Sequence, residues 1–257
     1  MVQKLTSNSV PIQPFWGTKV LDSINIADII PYLHLQTLYR FHWGISNDDQ
    51  LTTNTLQQLI AENKKQAILQ PQAVYGYFAC QSDGNNLVIY NSPDTKKETC
   101  RFLFPRQKNS PYLCLTDFFR PVTIQETDLV ILQLVTVGQK AADFARTLFK
   151  QNEYQKYLFW HGFNVAVTEG LAEFIHQKIL KELGLIEKSI QHSKNHGSRF
   201  SLGFSACPNF ADQQKIINLL EAQRIGVSLS ETFQLLPEES TSAIVVHNPQ
   251  SRHFTIA

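Results

Sequence analysis

Residues Leu129–Val137 form a nearly unbroken apolar run that is rich in β-branched side chains. Such a run is typical of a central strand covered on both faces, because a strand with one solvated face alternates polar and apolar residues. A strand of this kind needs packed layers on both of its sides. With 257 residues, the chain is long enough to supply those layers and a sizeable core.

Shorter strand signals occur on either side of this run. Ala73–Cys80 and Leu87–Tyr90 flank a segment that contains Asp83, Gly84 and Asn85, which predicts a β-hairpin because such residues tolerate the positive φ of a tight turn. The remaining predicted strands are Thr99–Phe104, Ala243–His247 and His253–Ile256.

Apolar residues at three- to four-residue spacing predict several helices. The predicted helices cover 51–67, 139–151, 153–183 and 212–224. An earlier helix is expected to follow a stop near Pro31 and to end at Gly44, and in the long helix Gly162 and Gly170 allow close packing or a bend. Strands, then helices, then strands again indicate an α+β fold rather than a doubly wound one.

The composition excludes several classes of protein. Lys and Arg number 23 against 22 Asp and Glu, so the chain lacks the basic excess of a nucleic-acid binder. No apolar run is long enough to span a membrane, and the first residues lack the apolar core of a signal peptide. The four cysteines show no zinc-ligand spacing. We therefore predict a soluble, cytoplasmic protein.

The common catalytic motifs are absent from the sequence. It contains no G-x-G-x-x-G, Walker loop, G-x-S-x-G or H-E-x-x-H motif. Glu173 and His176 form an E-x-x-H pair one helical turn after Glu169, but a di-iron bundle needs a second copy, which is missing. We interpret this pair as exposed or capping, and we assign no catalytic and no metal-binding residue.

The segment Gly197–Pro208, which we expect to be a loop between the helices predicted over 153–183 and 212–224, holds the most informative cluster of residues. Arg199 has a planar guanidinium suited to a carboxylate, Gly203 permits a close approach of the backbone, and Phe200 and Phe204 offer aromatic faces. The residues alone are consistent with a site for a small anionic or zwitterionic ligand, and equally with an ordinary buried turn.

The same segment resembles the R-x-x-x-G-Y-x-A-C-P signature of the activation domain of cobalamin-dependent methionine synthase. Other segments resemble this family in the same order along the chain. They are Phe15–Thr18, Leu38–Gly44, Val74–Phe78, Leu158–Gly162, Thr168–Glu173 and Ser242–His247. We therefore predict a flexible arm over residues 1–14 and a methionine synthase activation-like domain over residues 15–257.

The resemblance implies a C-shaped α+β domain built around a twisted antiparallel sheet. It implies a groove for S-adenosylmethionine and a role in the reductive methylation of cob(II)alamin to methylcobalamin, in methionine biosynthesis. The electron would come from a flavodoxin-type donor. The chain has no D-x-H-x-x-G cobalamin-binding sequence, so a cobalamin-binding methionine synthase chain or domain must present the cofactor. We expect an activation module alone, inactive without that partner.

The resemblance also implies a set of ligand-binding residues. Arg199 would hold the methionine carboxylate, and Glu169 would bind the ammonium group or a ribose hydroxyl. Backbone contacts would come from the stretch that contains Ser201, Gly203, Phe204, Ala206 and Cys207. Three positions depart from the family: His34 stands in place of an Asp, Phe204 in place of the signature Tyr, and His253 in place of a late Tyr.

Two hypotheses from different classes follow from these residues. The first is an activation module that binds S-adenosylmethionine, which the retained Arg199 and Glu169 favour. The second is a degenerate relative that has lost the ligand and acts as a protein-interaction or regulatory module. His34, Phe204 and His253 favour the second, because an imidazole is not equivalent to an acceptor-only carboxylate and a phenyl ring lacks the tyrosine hydroxyl.

Overall fold

A computed structural model describes residues 9–45, 49–186 and 197–256 of the chain. The strands are β1 (Gly17–Leu21), β2 (Gln72–Asp83), β3 (Asn86–Tyr90), β4 (Glu98–Leu103), β5 (Asp128–Thr136), β6 (Ser198–Ser201), β7 (Ser228–Leu229), β8 (Leu235–Leu236) and β9 (Ser240–Val246). The α-helices are α1 (Ile26–Ile29), α2 (Leu35–Thr37), α3 (Asp49–Gln66), α4 (Gln139–Lys150), α5 (Tyr154–Glu182) and α6 (Gln213–Leu220).

The main sheet is antiparallel and has the strand order β4-β3-β2-β5-β9-β6, with β1 also paired to β2. All nine residues of β5 are buried, which confirms the prediction of a central strand covered on both faces. The predicted hairpin is β2 and β3, and Gly84 in its turn has a φ of +60°. The strand predicted before Pro105 is β4.

Side-chain alternation along the strands divides the core into two layers. Tyr75 on β2 and Ile131 on β5 face a layer formed by α3, α4 and α5. Val74 and Leu132, the neighbours of Tyr75 and Ile131 on the same strands, face a layer formed by α6 and the segment 104–119. The predicted α+β fold, with an antiparallel sheet packed with helices, is thereby confirmed.

Two predictions at the edge of the sheet are wrong. Ser198–Ser201 was expected in a loop but forms the edge strand β6, which pairs with β9. His253–Ile256 was expected to be a strand but has no strand partner among the described residues. Its backbone is held by side chains instead: Ile256 N donates to Ser205 Oγ at 2.8 Å, and Gln107 Nε2 donates to Thr255 O at 2.7 Å.

The helices begin and end close to their predicted positions, with two exceptions. The helix expected to end at Gly44 is a series of short turns over 26–42, broken where Pro31 enters a 3-10 turn. The helix predicted over 212–224 ends at Leu220, because Glu221 adopts a left-handed conformation with a φ of +52°. The arm predicted over residues 1–14 lies mostly outside the described residues, so that boundary stays a prediction.

Gly162 lets α5 pack closely against the turn that precedes α3. A Cβ added there would lie 2.8 Å from His42 Cβ and 3.0 Å from two ring atoms of Trp43. The Trp43 ring cannot easily move away from Gly162, because its Nε1 donates a hydrogen bond of 3.1 Å to Phe159 O on α5. Gly170 is less constrained, since its nearest neighbour is a terminal methyl carbon of Leu33 at 2.9 Å.

We predict that Gly162→Ala lowers the free energy of unfolding by about 1–2 kcal/mol. Overpacking a filled site costs about 1–3 kcal/mol, and the better helix propensity of alanine returns up to about 1 kcal/mol. Gly170→Ala is the matched control, expected to change the free energy of unfolding by less than about 1 kcal/mol because Leu33 can rotate its methyl away. Urea unfolding of both variants measures the difference, and equal effects would contradict the prediction.

Candidate functional site

A groove of about 780 Å³ lies between α5, the strand β6 and the C-terminal residues 253–255. Among the strands that the structure describes, β6 pairs only with β9, and all four of its residues line the groove. The backbone N–H and C=O groups of an edge strand are available for pairing with another molecule. The groove therefore combines polar backbone groups with the side chains of α5.

Arg199 extends from β6 towards α5, where it meets Glu169. Its Nη2 lies 3.1 Å from Glu169 Oε2, and its Nη1 lies 3.5 Å from Ser201 Oγ. The arginine side chain is 17% exposed and the glutamate side chain 49%. A guanidinium has five N–H donors in a fixed fork, so Arg199 can hold Glu169 and a ligand carboxylate at the same time.

Glu169, Glu173 and His176 lie on one face of α5, because residues spaced by three and four share a helix face. His176 Nδ1 lies 3.3 Å from Glu173 Oε2, and Gln177 Nε2 donates to Glu173 Oε1 at 2.8 Å. The interpretation of Glu173 and His176 as an exposed or capping pair is wrong, because His176 is buried and both side chains line the groove.

Glu173 is ionised in the ordinary pH range. Burial pushes its pKa upward, but the hydrogen bonds from His176 and Gln177 and the positive charge of Arg199 outweigh this effect and lower the pKa. Within the described ranges, no group of three or more His, Cys, Asp or Glu side chains is arranged to hold a metal ion. The groove therefore contains the charged side chains of Glu173 and Arg199.

The turn after β6 depends on Gly203. This residue has a φ of +93°, and a Cβ on it would lie 2.6 Å from Phe210 Cζ, so both the conformation and the packing require glycine. Gly203 N donates to Cys207 O and Cys207 N donates to Phe204 O, both at 2.8 Å. The closed turn places the exposed ring of Phe204 at the mouth of the groove.

Cys207 and His253 line the groove with side chains that are uncharged at neutral pH. Burial, with a smaller effect of Asp212, raises the pKa of the Cys207 thiol to about 12, so the group is not a thiolate nucleophile at neutral pH. Burial, followed by the charges of Arg199 and His176, lowers the pKa of His253 below its ordinary value. The neutral His253 ring packs 5.0 Å from the ring of Phe200, measured between centroids.

His34 approaches the same charged residues from the other side. It lines a smaller cavity of about 120 Å³ whose walls include Glu169, Glu173 and Arg199, which also line the main groove. The turn that carries His34 packs against α5 beside Gly170, whose missing side chain leaves room for Leu33. Three distant segments of the chain, around His34, Glu169 and Arg199, therefore meet at one place.

Comparison with known proteins identifies the family. The family model described as vitamin B12 dependent methionine synthase, activation domain, matches residues 44–257. The chain belongs to this family. Methionine synthase of Mycobacterium tuberculosis is 36% identical, over 96% of this chain and 23% of the relative, and that of Mycobacterium leprae is 35% identical over the same shares. The chain thus spans about a quarter of the length of these relatives.

A solved structure shares the fold of this activation domain. It is described as a crystal structure of the MetH reactivation domain bound to AdoHcy. It superposes with a TM-score of 0.87, covering 97% of this chain and 84% of the other, at 20% sequence identity. The agreement extends over nearly all of the chain, so the sheet and helices that surround the groove belong to the common fold.

The activation-domain groove contains most of the predicted ligand-binding residues. Those that line it are Glu169, Arg199, Ser201, Phe204, Ala206, Cys207 and His253. Gly203 shapes the turn without lining the groove, and His34 lines the adjoining cavity. Residues outside the predicted set also line the groove, namely Glu173, His176, Gly197, Ser198, Phe200, Ser205, Phe254 and Thr255. Helical spacing from Glu169 was the available signal for Glu173 and His176.

Proposed function

We propose that this chain binds S-adenosylmethionine in the groove and serves as the activation module of a cobalamin-dependent methionine synthase. The observation that carries the proposal is the charge pattern around Arg199. One guanidinium and two carboxylates, those of Glu169 and Glu173, leave an excess of one negative charge when the imidazoles are neutral. S-adenosylmethionine has one carboxylate and two cationic centres, and it complements this pattern.

Each part of the ligand has a counterpart in the groove. Arg199 would bind the carboxylate through its planar fork while Glu169 keeps the guanidinium in place. The turn at Gly203 and the edge of β6 offer backbone groups to the nucleoside. The exposed face of Phe204 stands where it can cover the ligand and attract its positive sulfur.

The groove is open to solvent, so a second molecule, such as the cobalamin of a partner, could reach a ligand bound in it. Glu169 is half exposed and Phe204 is exposed, so a bound sulfonium methyl would lie near solvent. Cobalamin on the partner supplies the acceptor: after one-electron reduction by a flavodoxin-type donor, its cobalt takes the methyl group, and the C–S bonding pair stays on sulfur as S-adenosylhomocysteine leaves. This chain would bind and orient the sulfonium ligand.

The partner and the location complete the proposal. The cobalamin-binding methionine synthase chain or domains and the flavodoxin-type donor are the expected macromolecular partners, in the cytoplasm. Within the part of the chain that the structure describes, no helix is both long and apolar enough to cross a membrane.

Isothermal titration tests the ligand directly. We expect saturable binding of S-adenosylmethionine and S-adenosylhomocysteine with one site per chain, and much weaker binding of adenosine or methionine, since each half fills only part of the groove. Ligand at a hundred times its dissociation constant should stabilise the fold by about 2.7 kcal/mol. Absence of both heat and thermal stabilisation at millimolar ligand would contradict the proposal and favour the degenerate relative that binds protein partners.

A second assay tests the role in activation. The chain is mixed with a cobalamin-loaded methionine synthase fragment, a reduced flavodoxin and S-adenosylmethionine, and methylcobalamin is followed by its absorbance. We expect formation that requires this chain. Ligand binding without any such formation would retain the binding proposal and reject the reactivation role.

A further inference from the structure

One wall of the groove is formed by a segment that is not part of the sheet. His253, Phe254 and Thr255 line the groove, but the wall segment, residues 253–256, joins none of the strands that the structure describes. Strands of a sheet are held by a regular ladder of backbone hydrogen bonds. Without such a ladder, the position of the wall segment depends on the side chains that contact it.

Ring contacts place the wall segment only loosely. The ring of Phe254 lies 6.4 Å from the ring of Phe118 and 6.4 Å from that of Phe200, measured between centroids. These separations are near the upper end of the range in which aromatic rings interact, about 4.5–7 Å. Apolar contact is also non-directional, so it does not fix the backbone of the segment.

Two side chains make directional contacts with that backbone. Gln107 Nε2 donates to Thr255 O at 2.7 Å, and Ile256 N donates to Ser205 Oγ at 2.8 Å. Ser205 belongs to the turn after β6 and lines the groove itself, whereas Gln107 is not among the residues that line it. Gln107 therefore reaches the groove through Thr255.

The amide of Gln107 is oriented by a second partner. Leu113 N donates to Gln107 Oε1 at 3.0 Å, and Gln107 N donates to Leu113 O at 2.9 Å. The amide oxygen thus meets an N–H donor and the amide nitrogen meets a carbonyl acceptor, so a flipped amide would satisfy neither contact. The donor of Gln107 is already directed at Thr255 O before any ligand binds.

The loop that carries Gln107 is anchored away from the groove. Arg106 Nη1 lies 2.7 Å from Asp117 Oδ2, and Arg106 Nη2 lies 2.8 Å from Asp117 Oδ1. Such a bidentate pair fixes the geometry of both side chains. Arg106 Nε also donates to Asn85 Oδ1, in the turn between β2 and β3, at 3.0 Å. These contacts tie the loop to the main sheet without involving the wall segment.

We propose that Gln107 is a positioning residue of the groove, which holds the wall segment where the ligand needs it. This inference rests on the proposed function, in which the ligand is S-adenosylmethionine or its product S-adenosylhomocysteine. A wall that is in place before the ligand arrives requires no ordering on binding, whereas a loose segment has to be ordered first, which lowers the affinity. Gln107 therefore contributes to affinity without contacting the ligand.

Gln107→Glu separates the two contacts of the amide. A carboxylate at this position still accepts from Leu113 N but cannot donate to Thr255 O, so the loop contact is kept and the wall contact is lost. We expect S-adenosylhomocysteine to bind about three- to tenfold more weakly in isothermal titration, as for the loss of one hydrogen bond. Binding within about twofold of the unmodified chain would overturn the inference.

Two further variants control for charge. Gln107→Met is neutral and removes both contacts, so it should weaken S-adenosylhomocysteine at least as much as Gln107→Glu does. Unchanged affinity in Gln107→Met would overturn the inference, because the effect of Gln107→Glu would then come from its charge. Gln214→Glu makes the same substitution on α6, where Gln214 pairs with Asn218 and does not line the groove. It should leave the affinity unchanged.

Amide hydrogen exchange of the free chain gives a readout that the stability of the loop alone would not change. The N–H of Ile256 should exchange faster in Gln107→Glu than in the unmodified chain, because the wall segment loses one of its two directional contacts. The N–H of Leu113, which keeps its acceptor, should not exchange faster. Unchanged exchange of Ile256 would overturn the inference.

The outcomes separate this inference from the proposed function. Thermal unfolding shows whether each variant is folded. If the unmodified chain binds S-adenosylhomocysteine and Gln107→Glu binds it equally well, only the role of Gln107 is rejected. If the unmodified chain does not bind S-adenosylhomocysteine, the proposed function fails, and the inference about affinity fails with it.

Discussion

Replacing Arg199 by alanine is expected to reduce the affinity for S-adenosylmethionine by about thirtyfold or more. The side chain is mostly buried beside the groove and its Nη2 lies 3.1 Å from Glu169 Oε2. Without it, the ligand carboxylate would lie unpaired next to two protein carboxylates. Truncating one partner of a desolvated charge pair costs about 2–5 kcal/mol, and each 1.4 kcal/mol is about a factor of ten in affinity.

Two further variants separate charge from shape. Arg199→Lys keeps the charge but lacks the planar fork, so we expect an affinity between those of the unmodified chain and the alanine variant. Arg146→Ala is the matched control, because Arg146 is exposed, pairs with the neighbouring exposed Asp143 and does not line the groove. It should leave the affinity unchanged.

The measurement is isothermal titration, with thermal unfolding to show that each variant is folded. Since Arg199 points into the groove and Glu169 is half exposed, loss of their ion pair should change the free energy of unfolding by less than about 1 kcal/mol. An alanine variant that binds within threefold of the unmodified chain would contradict the assignment of Arg199 to the carboxylate.

The central part of the fold was predictable because its signals are local. All nine residues of β5 are buried, and the apolar, β-branched residues from Leu129 to Val137 indicate this burial without reference to the rest of the chain. The hairpin of β2 and β3 is marked by its turn residues, and α5 by its apolar spacing. Each of these elements is determined mainly by residues adjacent in the sequence.

The edge of the sheet was not predictable in the same way. The four residues of β6 pair with Ala243–Val246, more than forty positions later in the sequence. The local pattern Ser-Arg-Phe-Ser does not predict that pairing. The alternation in His253–Ile256 has a different cause. The ring of Phe254 lies 6.4 Å from the ring of Phe118, measured between centroids, and both His253 and Phe254 line the groove, although the segment joins none of the strands that the structure describes.

The site was only partly visible in the sequence. Arg199 and Glu169 were assigned from the resemblance, and the structure brings them into contact. Glu173 and His176 were interpreted as exposed or capping because the sequence has no second E-x-x-H copy. Since α5 has buried residues around most of its circumference, its pattern does not tell which polar residues face a groove. Only the position of β6 beside the helix shows that face, and that position depends on pairing between distant strands.

Asp128→Ala is expected to produce the largest loss of stability, about 3–5 kcal/mol, because it leaves three hydrogen-bond partners without their acceptor, each at a cost of about 1–3 kcal/mol. Asp128 is 4% exposed, and its Oδ1 lies 2.7 Å from His247 Nε2, a side chain that is 6% exposed. The same carboxylate accepts hydrogen bonds from Arg120 N and Leu129 N, each at 2.7 Å. Since domains are stable by only about 5–15 kcal/mol, such a loss is severe.

The matched control is Asp143→Ala, which removes an aspartate from an exposed ion pair with Arg146 and should change the free energy of unfolding by less than about 0.5 kcal/mol. Urea unfolding monitored by tryptophan fluorescence compares the two variants. A loss below about 1 kcal/mol for Asp128→Ala would contradict the prediction. It would mean that water or a movement of the segment around Arg120 replaces the buried contacts of Asp128.

His247→Leu distinguishes the two roles of the Asp128 carboxylate. This variant removes the imidazole but leaves Arg120 N and Leu129 N with their acceptor, so we expect it to cost less than Asp128→Ala. Equal losses would mean that the imidazole contact alone stabilises the start of β5. The smaller loss would mean that Asp128 acts mainly by holding the backbone there. Because β9 ends next to His247 and leads to His253, Asp128→Ala should then also weaken ligand binding at the groove.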